Sequence, residues 1–123
     1  MAERNISSAD SVAAGYYDST DADRFYEQVW GGEDIHIGFY ESPDEPIASA
    51  SERTVHSLLN LATDLCEGGC VVDLGSGYGG ASRRLASWSD RPVEAINISA
   101  VENDRHRRLN LEAGLSDRIT VHD

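Results

Sequence analysis

At 123 residues and 40% hydrophobic content, the chain can bury one core and is too short for two full domains. Its 22 acidic and 10 basic residues leave a net charge of −12, which disfavours nucleic acid and anionic membrane as partners. No apolar run approaches the ~20 residues of a membrane span, and Met1 to Asn5 lack the basic and apolar regions of a secretory signal, so the expected compartment is the cytoplasm.

All ten basic residues are arginine, and there is no lysine. Residues 1–67 carry 14 acids against 3 arginines, residues 68–123 carry 8 against 7. An acidic, lysine-free surface stays hydrated in concentrated salt, and the composition is read as adaptation to a saline setting. Cys66 and Cys70 are too few for a disulfide framework and lack the further ligands of a zinc or iron–sulfur site. Both are expected to be reduced core residues, and no metal is expected.

In chain order, Ser8 reads as the cap of a short helix ending at Gly15. Thr20 or Asp21 caps a second, from Ala22 to Trp30, with Phe25, Tyr26, Val29 and Trp30 on its apolar side, and Gly31-Gly32 stops it. Glu33 to Tyr40 is extended or looped, and Glu41 to Pro46 is a turn-rich linker. From Ile47 to Cys66 the apolar residues Val55, Leu58, Leu59, Ala62 and Leu65 recur at three and four, predicting the best helix of the chain. Val71 to Leu74 is a short buried strand, and a helical pattern with Ala81, Leu85, Ala86 and Trp88 follows. Val93 to Ile98 is a second strand, Ser99 with Glu102 is a capping box for a helix reaching about Ala113, and Ile119-Thr120-Val121 opens a third strand. Strands alternating with helices imply an α/β fold with a parallel, doubly wound sheet. Residues 1–46 are expected to form a helical and looped cap, and 47–123 a partial sheet domain. Three strands and two crossover helices are about half of such a sheet, so an N-terminal half of a longer protein is expected.

The turn after the first strand organises the rest. Gly75-Ser76-Gly77-Tyr78-Gly79-Gly80 joins a strand to a helix, the context in which a nucleotide-type cofactor lies against a helix N-terminus. A phosphate-cradling loop needs a lysine where Ala81 stands. Gly75, Gly77 and Gly80 satisfy the dinucleotide spacing, but Asp73 just ahead of the turn would repel a pyrophosphate and suit a cation. An apolar strand with an acid followed by Gly-x-Gly-x-Gly resembles the first motif of the class I S-adenosylmethionine-dependent methyltransferases, whose cofactor has no phosphate and carries an ammonium and a sulfonium. On this reading Gly75, Ser76, Gly77 and Gly79 admit the cofactor, Asp73 orients its ammonium, Asn97 at the end of the second strand meets the ribose hydroxyls, and Ile98 covers an adenine face. Tyr16, Tyr17 and Trp30 are candidates for a substrate lid, because aromatic faces hold sulfonium and alkylammonium groups. His36 is a candidate polar wall of the methyl-transfer site.

Tyr16 to Asp23, Trp30 to Gly38, Asp73 to Gly80 and Asn97 to Asn103 together resemble the glycine betaine-synthesising methyltransferases, in particular the sarcosine/dimethylglycine N-methyltransferases. The resemblance spans essentially residues 14–123 and implies a Rossmann-like fold with a helical N-terminal lid, S-adenosylmethionine as cofactor, a small amine as substrate and betaine as product. Cyclopropane-forming lipid methyltransferases are looser relatives. In them the loop matching Ile35-His36 lies against the cofactor, and that role is carried to Ile35 and His36. A truncated, non-catalytic cofactor-binding module is the remaining alternative. The methyl transfer implied is direct displacement by an amine lone pair, which needs alignment rather than a covalent intermediate. A substrate carboxylate calls for a cationic clamp, with Arg24 and Arg53 the upstream arginines available.

Overall fold

A computed structural model describes residues 7–30, 33–62 and 68–123, with Asp23 described by its backbone only. Three parallel strands, β1 (Val71–Leu74), β2 (Val93–Ile96) and β3 (Ile119–His122), form a sheet in the order β1-β2-β3. Val71 pairs with Val93 and Val93 with Ile119, so the strands start level and their carboxyl ends share one edge. Helices α4 (Gly80–Trp88) and α5 (Ala100–Glu112) make the two crossovers. Right-handed crossovers that step the same way lay both helices on the same face of the sheet.

The burial alternation bears this out. Val93, Ala95 and Ile119 are buried with Leu85 and Ala86 of α4, and Leu59, Val71, Leu115 and Val121 pack around them. The opposite face is bare: Val72 and Leu74 are 51% and 75% exposed, and Ile96 is 40% exposed. The α/β class and parallel sheet are as expected, with helices on one face among the described residues. Strand parity has a consequence for the site. Asp73 shares the covered face with Val71, and its Oδ2 accepts from Ser82 Oγ of α4 at 2.6 Å.

The upstream helices depart from the expectation. Helix α1 spans Ser8–Tyr17, and its cap is Ser7, which exchanges hydrogen bonds with Asp10 in a reciprocal capping box. It runs through Gly15, where nothing lies within 4 Å of a Cβ position. An exposed glycine there weakens the helix without breaking it. Helix α2 (Thr20–Phe25) starts earlier than expected because Ser19 Oγ accepts from Ala22 N at 3.2 Å. Tyr26–Trp30 then widens into a π-helical turn. Helix α3 spans Ile47–Leu61; its expected extension to Cys66 and the stop at Gly31-Gly32 lie outside the described residues, as does Cys66. Cys70 is exposed ahead of β1 and is not a core residue.

Strand β2 stops at Ile96, two residues short of the expected Ile98, because the backbone turns to cap α5. The capping box there is half made. Ser99 Oγ accepts from Glu102 N at 3.1 Å, while the Glu102 carboxylate is taken by Asn97 Nδ2 at 2.7 Å.

Residues 33–40 form an extended strap laid along α3. Phe39 N donates to Ala50 O at 2.9 Å, Thr54 Oγ1 to Ile37 O at 2.8 Å, and buried Ser51 Oγ to the carbonyls of Asp34 and His36 at 3.3 and 3.0 Å. Glu33 and Asp34 tie the near end of the strap to Arg83 and Arg84 of α4.

Candidate cofactor site at the strand ends

Gly75, Gly77 and Gly79 all adopt positive φ, at 73°, 50° and 81°. Side-chain-bearing residues rarely hold that conformation, so the alternating glycines set the shape of the loop. The N–H groups of Gly75 and Ser76 donate to Ile96 O at 2.8 and 3.2 Å, tying the loop to the end of β2. Behind it, Tyr78 is buried, Arg105 lies over its ring at 4.5 Å, and Arg83 Nη1 donates to Tyr78 O at 2.8 Å. A Cβ on Gly79 would overlap the buried His106 ring. Burial first, then Arg83 and Arg107, pull the His106 pKa down to about 4.

Two cavities flank this loop. The larger, about 820 Å³, lies at the carboxyl ends of the strands, where α/β sheets place ligands. Gly75, Ile96, Asn97, Ile98 and Asp123 form one side, and Asp10, Ser11, Ala14, Gly15 and Asp18 form the other. Asp18 also fastens α1 to the far wall, its Oδ1 accepting from Ser99 Oγ at 2.6 Å and Val101 N at 3.3 Å. The smaller, about 190 Å³, lies between the strap and the start of α4, lined by Glu33, Asp34, Ile35, His36, Gly75, Ser76, Tyr78, Gly80 and Ala81. Burial raises the Asp34 pKa against the opposing pull of Arg84 and His36.

The structure gathers most of the expected cofactor residues here. Gly75, Asn97 and Ile98 line the larger cavity, and Gly75, Ser76, Ile35 and His36 the smaller. Gly77 packs on Ile35, where a Cβ would stand 3.2 Å from its Cδ1. Asp73 lines neither cavity and is turned onto Ser82. Asn97 has its amide nitrogen engaged by Glu102, which leaves its carbonyl oxygen as the atom to meet a ligand hydroxyl.

The aromatic candidates stand apart from both cavities. Phe25, Tyr26 and Trp30 cluster with ring centroids 5.4 to 6.0 Å apart. Tyr16 and Tyr17 meet edge to face at 5.1 Å. Burial first and a hydrogen bond with Tyr16 next raise the Tyr26 pKa, which links the two groups. Trp30 Nε1 donates to His36 O at 3.1 Å and so joins the cluster to the strap. Arg53 is committed to Glu45, whose pKa its hydrogen bond lowers to about 2, so it is not a free carboxylate clamp. A groove of about 590 Å³ beside α3 and α4 holds Arg83 and Arg84, both already paired with acids. Among the described residues no group of three His, Cys, Asp or Glu side chains is placed to hold a metal.

Sequence reasoning missed Asp10, Ser11, Ala14, Asp18, Asp34 and Asp123 as wall residues. The face of α1 at 10, 11, 14, 15 and 18 has helical spacing, but what it faces is decided by Asp18 and Ser99, 81 residues apart.

No family model matches the chain. Over all 123 residues it is 76% identical to the dimethylglycine N-methyltransferase of Parasynechococcus marenigrum (strain WH8102), covering 44% of that protein. The chain resembles this methyltransferase from end to end. It is 48% identical to the sarcosine/dimethylglycine N-methyltransferase of Aphanothece halophytica over 96% of its own length, again 44% of the relative. Among solved structures, a candidate sarcosine dimethylglycine methyltransferase from Galdieria sulphuraria superposes with a TM-score of 0.71 at 45% identity, covering 87% of this chain and 41% of that one. The chain thus spans less than half the length of the relatives it matches. The Rossmann-like methyltransferase fold and the resemblance expected from the glycine, strap and Asn97 segments both hold.

Proposed function

We propose that this chain forms the cofactor-binding part of an S-adenosylmethionine-dependent N-methyltransferase that converts dimethylglycine, and sarcosine before it, to glycine betaine. The observation that carries the reading is the 76% identity to a dimethylglycine N-methyltransferase across the whole chain, glycine loop and strap included.

The chemistry of the larger cavity supports this cofactor. Asp10, Asp18 and Asp123 bring carboxylates to its walls, and among the described residues no arginine lines it, a setting that repels a pyrophosphate and tolerates a ligand bearing positive charge. Gly75 lets the backbone approach without a side chain in the way, Asn97 offers an acceptor to a ribose hydroxyl, and Ile98 offers an apolar face to a purine. When bound, the cofactor supplies an electrophilic methyl group on sulfur. Passed to the lone pair of a dimethylglycine nitrogen that has lost its proton to solvent, that methyl would give betaine and S-adenosylhomocysteine. The work left to the protein is holding donor and acceptor in line. The aromatic cluster of Tyr16, Tyr17, Phe25, Tyr26 and Trp30, with His36 beside it, is the surface suited to the alkylammonium by cation–π attraction.

An osmoprotectant product agrees with the lysine-free acidic composition, and the reading carries with it a cytoplasmic enzyme in a saline setting. Among the described residues no helix is long and apolar enough to cross a membrane. The test is methyl transfer by the full-length protein from labelled S-adenosylmethionine to glycine, sarcosine and dimethylglycine in parallel. Labelled betaine from dimethylglycine is expected; no labelled product from sarcosine or dimethylglycine would overturn the assignment.

A further inference from the structure

Two arginines grip Tyr78, the residue between Gly77 and Gly79 of the glycine loop. Arg83 of α4 is 6% exposed and engages all three of its nitrogens. Nη1 donates to Tyr78 O at 2.8 Å and to Asn110 Oδ1 at 3.2 Å, and Nε and Nη2 donate to Glu33 Oε2 at 3.0 and 2.7 Å. Arg105 of α5 lies over the Tyr78 ring, 4.5 Å from its centroid, and its Nη2 pairs with Glu27 Oε1 at 3.2 Å. One arginine thus holds the main chain of Tyr78 and the other its buried ring.

The acids at the far ends of these two arms bracket the aromatic residues. Glu27 is the second residue of the π-helical turn Tyr26–Trp30, and Glu33 begins the strap, so Trp30 lies between them in the chain. Both acid side chains stand half-exposed at the rim, at 52% and 56%, over arginine side chains that are 16% and 7% exposed. Ion pairs with so exposed a partner add little to stability. What they fix is a distance. A guanidinium is planar and rigid, so Arg83 keeps Tyr78 O and the Glu33 carboxylate at a set separation. Gly80 lets the strap close down on the loop, since a Cβ there would overlap Asp34 and stand 2.9 Å from Glu33 O. Trp30 Nε1 on His36 O closes the circuit from the strap back to the aromatic cluster.

We propose that Arg83 and Arg105 are positioning residues of methyl transfer, a yoke that sets the spacing between the glycine loop and the aromatic turn through Tyr78. This rests on the functional reading above, in which the loop serves the methyl donor and the aromatic turn the amine. In-line displacement is steep in that spacing, since a misplacement of about 1 Å can cost about 100-fold in rate. Each arginine acts through Tyr78 and an acid rather than by touching donor or acceptor.

The test is methyl transfer to dimethylglycine by the full-length protein carrying Glu27→Gln, Glu33→Gln or both, with S-adenosylmethionine and dimethylglycine affinities read by isothermal titration. Glutamine keeps the size of the acid and removes its charge. The double variant should lower kcat about 10-fold or more, and each single variant less, while KM and both affinities stay within about twofold. Glu52→Gln takes an acid from Arg84 without touching Tyr78 and should leave kcat unchanged. The proposal is overturned if the double variant keeps kcat within about twofold of the parent, if the loss appears in KM alone, or if Glu52→Gln loses as much, because arginines that only brace the fold would give those results. Should the double variant fail to fold by circular dichroism, the single variants make the same discrimination. If the parent forms no betaine from dimethylglycine, the functional reading falls and takes the yoke with it; if the parent is active and the variants match it, the yoke alone falls.

Discussion

The glycine loop and helix α1 face each other across the larger cavity and are built in opposite ways. On the loop side Gly77, Tyr78, Gly79 and Gly80 are all buried. They rest on a polar face of α5 in which Glu102, Asn103, His106 and Asn110 are buried too. Asn103 Nδ2 reaches Asn97 O and His122 O, each at 3.2 Å, and Arg83 Nη1 bridges Tyr78 O and Asn110 Oδ1. On the other side no residue of α1 is buried, and Asp18 at its end ties it to the start of α5 through Ser99 and Val101. One wall is set by dense packing and satisfied backbone groups, the other by a few hydrogen bonds. Local stability follows such differences in burial, so a ligand here would meet a stiff surface and a light one.

Substitutions in the two walls should therefore differ in size and in reach. The largest effect is expected from Gly79→Ala. The new methyl would overlap the His106 ring at a backbone φ of 81°, and a loss of about 3 kcal/mol or more in urea denaturation is expected from the clash and the strained backbone together. A loss under about 1 kcal/mol would mean that the loop yields as readily as α1 and would break the comparison.

The next concerns pH. His106 has a pKa of about 4 when folded against an ordinary 6.5. The unfolded chain therefore binds the proton first, so stability falls as pH drops below about 6.5, and the His106 contribution, about 3 kcal/mol, is fully lost near pH 4. Asp34 acts in the opposite sense, since a carboxyl whose pKa is raised by folding adds stability as pH falls. His106→Gln removes only the first contribution, so urea midpoints of parent and variant should converge between pH 7 and pH 5; parallel profiles would show that His106 does not titrate in this window. A smaller loss, about 1–2 kcal/mol, is expected for Ser51→Ala, which frees the strap carbonyls of Asp34 and His36, and a thermal melt would read it. Asp18→Ala should change global stability least, by about 1 kcal/mol, yet speed amide exchange across residues 8–17 while leaving 80–88 unchanged. Equal acceleration in both segments would show the two walls to be one cooperative unit.

The stretch from β1 to α4 was the most legible part of the sequence, because its determinants are local. Apolar strand residues, alternating glycines and an apolar helix face all sit within 18 residues, Val71 to Trp88. Helix α5 was found by its cap, but its buried face was not, since Glu102, Asn103, His106 and Asn110 lack the apolar stripe that marks a packed helix. Their burial depends on partners in the loop and on β3 that periodicity cannot name. The placement of Asp73 and Asp34 has a similar origin. Chain position put Asp73 at the mouth of the loop, while strand parity turned it under α4, and Asp34 reaches the loop only through a strap held by α3 and α4. Gly15 was read as a stop on propensity alone, and an exposed helix with nothing near that position tolerates it.

The bond between Asp18 and Ser99 also orders events in time. It joins residues 81 positions apart, and its donor, Ser99 Oγ, is in place only once β2 has been laid down and the first turn of α5 has formed. Contacts that close so long a stretch of chain bear a large entropic penalty and form after local ones. Helix α1 should accordingly dock last and leave first. Weakening the bond should then appear in the unfolding limb of a chevron plot, with the refolding limb of the sheet and glycine loop left where it was.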